Sequence, residues 1–163
     1  MAHRVFWRRF FLAATLLTAA LIFCFSAQQG PDSSAMSEGV TLFVARLIRP
    51  GFMELPDGEK LAFMDRLGLI VRKCAHFSEF ALLGFNLTAW LRLRRPDRPR
   101  LHALPRAWGL ATLYAATDEL HQMFVAERGP ALLDVGIDAA GAMAGVLVML
   151  LILWFIENRH QPN

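Results

Sequence analysis

The sequence predicts an all-α membrane protein, a four-transmembrane-helix bundle with both termini cytoplasmic. Of its 163 residues, 55% are hydrophobic, and the mean hydropathy of +0.37 exceeds what a soluble domain of this size normally needs. The apolar residues gather in long segments, and fifteen of the seventeen basic residues are Arg. Arg residues cluster between these segments, and such clusters lie in cytoplasmic loops. We therefore predict one membrane domain over residues 1–163.

The first helix is expected over about 8–28. It follows Arg4, Arg8 and Arg9 and continues for about twenty uncharged residues, which is enough to cross a hydrocarbon core of about 30 Å. A cleaved signal peptide is the alternative. Phe25 stands where cleavage before Gln28 would need a small residue, so a retained helix is the favoured interpretation.

Residues 29–66 are predicted to form an extracytoplasmic connection. They contain several Pro and Gly residues and six acidic against four basic residues. Within them, Met36–Ile48 and Glu59–Leu67 mix apolar and charged positions in the way of short helices that lie at a membrane interface. The connection therefore leads from the outer end of the first helix to the second.

The other helices are expected over about 67–92, 105–125 and 131–156, with an Arg-rich cytoplasmic loop at 93–104. The second and third carry charged residues, so they span the membrane only if the protein satisfies those charges internally. The fourth contains eighteen consecutive uncharged residues. Its Gly141 and Gly145 form a GxxxG pair that lets a neighbouring helix approach closely, and Asp134 and Asp138 continue the same stripe.

Polar residues of the last three helices fall at helical spacings and at similar depths. Asp118, His121 and Gln122 share one helical face, and Arg72, His76 and Glu79 share another. A rise of about 1.5 Å per residue places His76, Asp118 and Asp138 about 10 to 13 Å from the expected outer helix ends. We therefore expect these side chains to meet in one polar layer in the outer half of the membrane, together with Ser26 and Gln28 at the end of the first helix.

The charges of this layer do not balance. Five acids (Glu79, Asp118, Glu119, Asp134 and Asp138) outnumber the cations Arg72, Lys73 and Arg128. Protonated carboxyls, charged histidines or a bound cation would each close the difference. The patterns His76-x-x-Glu79 and Asp118-x-x-His121 resemble the way helical bundles assemble divalent metal sites. A metal-free hydrogen-bonded network is the favoured interpretation, and the sequence identifies no cofactor.

Three stretches together resemble the VanZ-like family of bacterial membrane proteins. They are FSAQ at the end of the first helix, RKCAHFSEFALLGF over 72–85, and TDELHQMFVAERGPALLDVGIDAAGAMAG over 117–145. This chain differs from the common pattern at Phe80, Thr117 and Asp138, where the family often has Tyr, Ser and Asn. The founding member is associated with resistance to the glycopeptide antibiotic teicoplanin. The resemblance therefore implies a cell-envelope function at the outer face of the cytoplasmic membrane.

Two hypotheses follow for the function. In the first, the chain is an enzyme that acts on a lipid-linked or envelope substrate reached from the outer leaflet. In the second, it is a non-catalytic binding or assembly protein of the envelope that recognises a lipid-linked precursor or a glycopeptide antibiotic. Ion transport ranks last, because the uncharged inner half offers no continuous polar path. The sequence leaves open whether the chain is an enzyme.

The candidate residues divide by chemistry. Proton transfer is assigned to the carboxyls and imidazoles, and binding to the amides, cations and helix-end residues. The candidate catalytic residues are His76, Glu79, Asp118, Glu119 and His121. The candidate substrate-binding residues are Ser26, Gln28, Arg72, Lys73, Gln122, Arg128, Asp134 and Asp138. Membrane lipids are the expected partners, and nucleic acid is not, because no aromatic residues are interleaved with the Arg cluster.

Overall fold

The fold of the chain is all-helical. The computed structural model describes residues 2–28, 30–125 and 132–159, and this part of the chain contains no strand. Its five α-helices are α1 (Ala2–Ser26), α2 (Gly30–Ile48), α3 (Asp57–Arg94), α4 (Ala103–Gln122) and α5 (Leu132–Arg159). Short 3-10 turns at Phe52–Glu54 and Arg100–His102 precede α3 and α4. The predicted all-α class is therefore confirmed.

Two of the described helices, α1 and α5, are long and apolar enough to cross a membrane. Helices α3 and α4 do not reach the same threshold, because charged residues interrupt their apolar runs. The outward surface of the bundle is nevertheless apolar, with exposed side chains such as Leu16, Leu17, Leu113, Leu151 and Phe155. An apolar exterior of this extent is typical of helices that face lipid, and the chain has the character of a membrane protein.

Helix α3 begins about ten residues before the predicted second span. Residues 59–67, expected as a separate interfacial helix, form the first part of α3 instead. The helix has 38 residues and is therefore about 57 Å long. Pro56 precedes it, and Asp57 and Glu59 occupy its first turn, where carboxylates interact favourably with the positive end of the helix dipole. The connection at 29–66 is therefore largely helical.

Helix α3 is the centre of the bundle and packs against each of the other four helices. Its residues Phe80, Leu83 and Leu87 are buried in the main core. Three alanines of α4, spaced four residues apart, and apolar residues of α1 and α5 complete this core: Ile22, Ala107, Ala111, Ala115, Ala142, Val146 and Leu150. A second, smaller core joins α2 to the first part of α3 around Ala45, Phe52 and Leu67.

The backbones of α3 and α5 are in direct contact. A Cβ atom at Gly145 would lie 2.7 Å from the carbonyl carbon of Ala81, and one at Gly141 would lie 3.0 Å from that of Phe77. Gly84 of α3 meets the backbone of Ala142 in the same way. These distances leave no room for a side chain. The GxxxG pair is therefore buried against α3, together with Asp138 on the same stripe.

The apolar segments around the two cysteines predict buried free thiols, and both thiols are free but exposed. Cys24 lies on α1 and Cys74 on α3. Both stand within apolar runs, on the side of the helix that faces away from the core. Apolar sequence alone predicts burial, whereas a helix with an apolar exterior also places thiols on the outside. A thiol-free background is therefore available by replacing two surface residues.

Tyr114 joins α4 to α1, because its hydroxyl group donates a 2.7 Å hydrogen bond to the carbonyl oxygen of Ala19. We expect Tyr114→Phe to lower the free energy of unfolding by about 1 kcal/mol, the usual contribution of one such bond. Thermal unfolding in detergent measures this change. Trp7→Phe is the control, because it removes a bond to His3 that is exposed and internal to α1. Equal losses in both variants would contradict the assigned role of Tyr114.

Candidate functional site

A polar cluster lies where α3, α4 and α5 pack together, near the end of α4 and the beginning of α5. Two ion pairs and one hydrogen bond between side chains define it, and the carboxyl groups of Glu79 and Glu119 interact electrostatically with its other members. The polar cluster consists of Lys73, His76 and Glu79 of α3, Asp118, Glu119 and Gln122 of α4, and Asp134 and Asp138 of α5.

Asp138 lies at the centre of the polar cluster and is completely buried. His76 of α3 places its Nδ1 atom 3.9 Å from Oδ1 of Asp138. Neither carboxyl oxygen of Asp138 has a hydrogen-bond partner among the described residues. Buried polar atoms are nearly always hydrogen-bonded in folded proteins, and exceptions mark strained, catalytic or ligand-binding positions. Asp138 is therefore equipped to accept hydrogen bonds from a bound molecule.

Helix α4 contributes two buried carboxyls and one buried amide. The Nε2 atom of Gln122 donates a 3.1 Å hydrogen bond to Oδ2 of Asp118. This bond joins residues one helical turn apart and orients the carboxyl group. The other oxygen of Asp118 is buried without a hydrogen-bond partner in the described part of the chain. Glu119 is also buried, at 5% exposure.

Carboxyl groups from three helices are close enough to repel one another. Asp118, Glu119, Asp134 and Glu79 all act electrostatically on Asp138, and Asp118 acts on Glu79. Like charges at short range in a buried setting cost several kcal/mol unless protons or cations compensate them. The polar cluster therefore favours protons, cationic groups or a ligand that supplies hydrogen-bond donors.

Among the described residues, Lys73 contributes a cation at this end of α5. Its Nζ atom forms an ion pair with Oδ1 of Asp134, and the two side chains are partly exposed, at 42% and 34%. The pair joins α3 to the first turn of α5, where the carboxylate also interacts favourably with the positive end of the helix dipole. Lys73 is thus held at the edge of the polar cluster.

The remaining candidate residues lie elsewhere or are buried separately. Arg72 lines a groove between α2 and α3. Gln28 donates a 3.7 Å hydrogen bond to the sulfur of Met36 and so contacts α2. Ser26 is buried at the end of α1, and its hydroxyl has no hydrogen-bond partner among the described residues. Arg128 lies outside the described residues.

His121 does not pair with Asp118, although the two residues were expected to share a helical face. Its ring packs on Phe23 of α1 with centroids 4.7 Å apart, while Asp118 bonds to Gln122 instead. Within the described ranges, no group of three or more His, Cys, Asp and Glu side chains has the arrangement to hold a metal ion. The ring of His121 therefore packs α4 against α1 and is not paired with Asp118.

The groove beside Arg72 lies between α2 and the first half of α3 and has a volume of about 840 Å³. Its walls are formed mainly by apolar side chains, including Phe52, Met53, Leu61, Met64 and Leu69. Charged residues of both signs also line it, and Lys60 pairs with Asp57 at 3.7 Å: the acids are Glu38, Asp57 and Asp65, and the bases are Lys60 and Arg72. This combination suits an amphipathic molecule with a hydrocarbon chain and a polar head group.

A second polar contact joins α1 to α3 and was not foreseen. Asn86 of α3 is buried, and its Nδ2 atom lies 3.3 Å from the hydroxyl oxygen of Thr18. Asn86 stands alone in an apolar run, and a lone amide within such a run is the signal that could have indicated a helix-helix hydrogen bond. This contact stabilises the packing of α1 and stands apart from the carboxyls of the polar cluster.

A family model described as VanZ/LLP1 matches residues 11–154, which is most of the chain. The match includes every residue of the polar cluster, the groove and the glycine contact between α3 and α5. No curated protein and no solved structure matches the chain significantly.

Proposed function

Because the chain belongs to the VanZ/LLP1 family, we propose that its polar cluster is an intramembrane site, open to the outer leaflet, for a lipid-linked or cell-envelope substrate. The observation that carries the proposal is the buried carboxyl group of Asp138, which lies close to His76 and Asp118. Its two oxygens have no hydrogen-bond partner among the described residues. A purely structural network would satisfy these oxygens, because leaving them unpaired costs about 1 to 3 kcal/mol per group. A site that receives a ligand leaves them available.

The chemistry that fits this arrangement is proton transfer. His76 is the imidazole nearest to Asp138, and it exchanges a proton with a bound hydroxyl or phosphate-linked group. Asp118, oriented by Gln122, and Glu79 provide the acid and base partners. Glu119, buried beside Asp118, adds to the local negative charge.

The groove that Arg72 lines supports an amphipathic substrate. A hydrocarbon chain would lie along the apolar walls, and a polar head group would contact Arg72 and the acidic residues of the groove. Arg72 directly precedes Lys73, which belongs to the polar cluster, so the groove and the cluster lie at the same height on different sides of α3. Arg128 is a further proposed contact for the head group.

The proposed location is the bacterial cytoplasmic membrane, in which the chain makes four crossings formed by α1, the later part of α3, α4 and α5. The Arg-rich loop between α3 and α4 and both termini then lie in the cytoplasm, as the positive-inside rule requires. The first third of α3 and α2 project on the outer side. This orientation opens the polar cluster and the groove toward the outer leaflet.

The second candidate is a non-catalytic binding or assembly protein, with a lipid-linked precursor or a glycopeptide antibiotic such as teicoplanin as its ligand. The side chain of Ser78 favours it. Its hydroxyl group donates to the carbonyl oxygen of Cys74 in its own helix, and the thiol of Cys74 is exposed outside the polar cluster. Neither group is therefore placed as a nucleophile beside an imidazole.

Incubation with a lipid extract separates these proposals. The protein, purified into lipid nanodiscs, is mixed with a bacterial membrane lipid extract or with teicoplanin, and mass spectrometry follows the lipids over time. The enzyme proposal predicts loss of one lipid class and appearance of its product. The binding proposal predicts saturable retention of an unchanged lipid or of the antibiotic. If the assay shows no turnover and no saturable retention, both proposals are wrong.

A further inference from the structure

The opposite end of the bundle contains a cavity in which five of the nine lining residues are arginine. The cavity lies where α3 ends and α4 begins and has a volume of about 390 Å³, within the usual range of ligand pockets. Its basic lining residues are Arg92, Arg94, Arg95, Arg98, Arg106 and His102. This part of the molecule is separate from the polar cluster and takes no part in the proposed reaction.

Side-chain contacts hold several of these guanidinium groups in place. Arg92 is 14% exposed, pairs with Glu157 of α5 at 3.2 Å and also donates to the carbonyl oxygen of Arg98. Arg94 lies over the ring of Trp90, 5.4 Å from its centroid. Arg106 donates a 2.7 Å hydrogen bond to the carbonyl oxygen of His102. Three of the five guanidinium groups therefore have partners within the protein, and Arg95 and Arg98 are exposed.

The positive charge of the cavity exceeds the negative charge that contacts it. Glu157 is shared between Arg92 and Arg100, of which only Arg92 lines the cavity. In the described part of the chain, Arg94, Arg95, Arg98 and Arg106 form no ion pair with a carboxylate. In addition, the buried Nε atom of Arg92 has no hydrogen-bond partner among the described residues. An anion in the cavity would compensate both the charge and the unpaired donor.

The chemistry of the guanidinium group indicates which anion fits. Fifteen of the seventeen basic residues of the chain are Arg, and the particular feature of the cavity is that five guanidinium groups line one space. The planar guanidinium fork matches phosphate oxygens with two parallel hydrogen bonds, whereas an ammonium group acts as a point charge. We propose that this cavity is a binding site for a phosphate-bearing ligand, either an anionic phospholipid head group of the adjoining leaflet or a soluble phosphate compound.

Thermal unfolding in a neutral detergent tests this proposal. Protein is titrated with short-chain phosphatidylglycerol, and the zwitterionic short-chain phosphatidylcholine is the control lipid. A second titration uses inorganic phosphate, with sodium chloride at equal ionic strength as its control. A site predicts a saturable rise in the unfolding temperature. Saturation by phosphatidylglycerol alone identifies a lipid head group, and saturation by inorganic phosphate identifies a soluble ligand. Either result supports the proposal, and the absence of saturation in every titration overturns it.

The double variant Arg95→Gln/Arg98→Gln locates the binding. Both residues line the cavity and are exposed, so the variant keeps the fold, and its affinity is expected to fall at least about tenfold. Arg8→Gln/Arg9→Gln is the matched control, because it removes the same charge from exposed positions of α1 on the same proposed side of the membrane. Equal losses in the two variants would show general attraction to basic charge and would overturn the proposal.

Discussion

Replacing Gly145 by leucine is expected to force α3 away from α5 and to cause the largest loss of stability of any single change considered. Even a Cβ atom at this position would overlap the backbone of α3, at 2.7 Å from the carbonyl carbon of Ala81 and 2.9 Å from the amide nitrogen of Phe85. Backbone atoms of a central helix cannot move aside as a flexible side chain does. Overpacking costs about 1 to 3 kcal/mol and sometimes more, and this contact belongs at the upper end.

The variant Gly145→Leu should therefore lose about 3 kcal/mol or more, which corresponds to a fall in unfolding temperature of about 6 to 12 °C for a chain of this size. Thermal unfolding and size-exclusion chromatography in detergent measure the effect. Gly136→Leu is the matched control on the same helix, because nothing lies within 4 Å of a Cβ atom there. An unfolding temperature of Gly145→Leu equal to that of Gly136→Leu would show that the two helices do not make this contact.

The second large effect concerns Asp118. Asp118→Asn keeps the size of the side chain and an oxygen that accepts the hydrogen bond from Gln122, but it removes the acidic group. If Asp118 transfers a proton, turnover of the lipid identified in the nanodisc assay should fall about 10²- to 10⁴-fold, the usual contribution of general acid-base catalysis. Thermal stability should be unchanged or higher, because one of several mutually repelling carboxyls becomes neutral.

Asp97→Asn is the control for Asp118→Asn. Asp97 is exposed in the loop between α3 and α4, so the same chemical change there should leave turnover unaltered. If the protein binds without turnover, Asp118→Asn should weaken retention of the ligand, and Asp97→Asn should not. Full turnover or full retention by Asp118→Asn would remove Asp118 from the functional residues.

Helical spacing predicts part of the site because it relates residues on the same helix. The stripe of Asp138, Gly141 and Gly145 is buried against α3, as its spacing of three and four residues predicts. Residues on different helices are harder to relate, since their rotation about the helix axes depends on packing. The 3.9 Å approach of His76 to Asp138 is therefore visible only in the folded bundle.

Adjacent residues show the same limit. Arg72 and Lys73 carry the same charge, but consecutive helical residues are rotated by about 100°, so the two side chains leave α3 in different directions. Arg72 lines the groove toward α2, whereas Lys73 pairs with Asp134 of α5. Position along the helix predicts both cations in one layer, and the packing of α3 distributes them between two surfaces.

Helix ends were less predictable than helix faces. A hydropathy criterion places the start of the second span near Leu67, because the preceding residues are polar. The start of α3 is set instead by Pro56 and by acidic residues in the first turn, at Asp57 and Glu59. Likewise, Gln122 ends α4 before the predicted boundary, and residues 126–131, including Arg128, lie outside the described residues.

Labelling of single cysteines from each side of the membrane tests the central claim most directly. His76→Cys and Arg98→Cys are each introduced into a Cys24→Ala/Cys74→Ala background. A membrane-impermeant maleimide is then applied to intact cells that express each variant and to inside-out vesicles prepared from them. The account predicts labelling of His76→Cys in intact cells only, because the polar cluster opens outward, and of Arg98→Cys in vesicles only. Labelling of His76→Cys from the cytoplasmic side, or of Arg98→Cys in intact cells, would contradict the account.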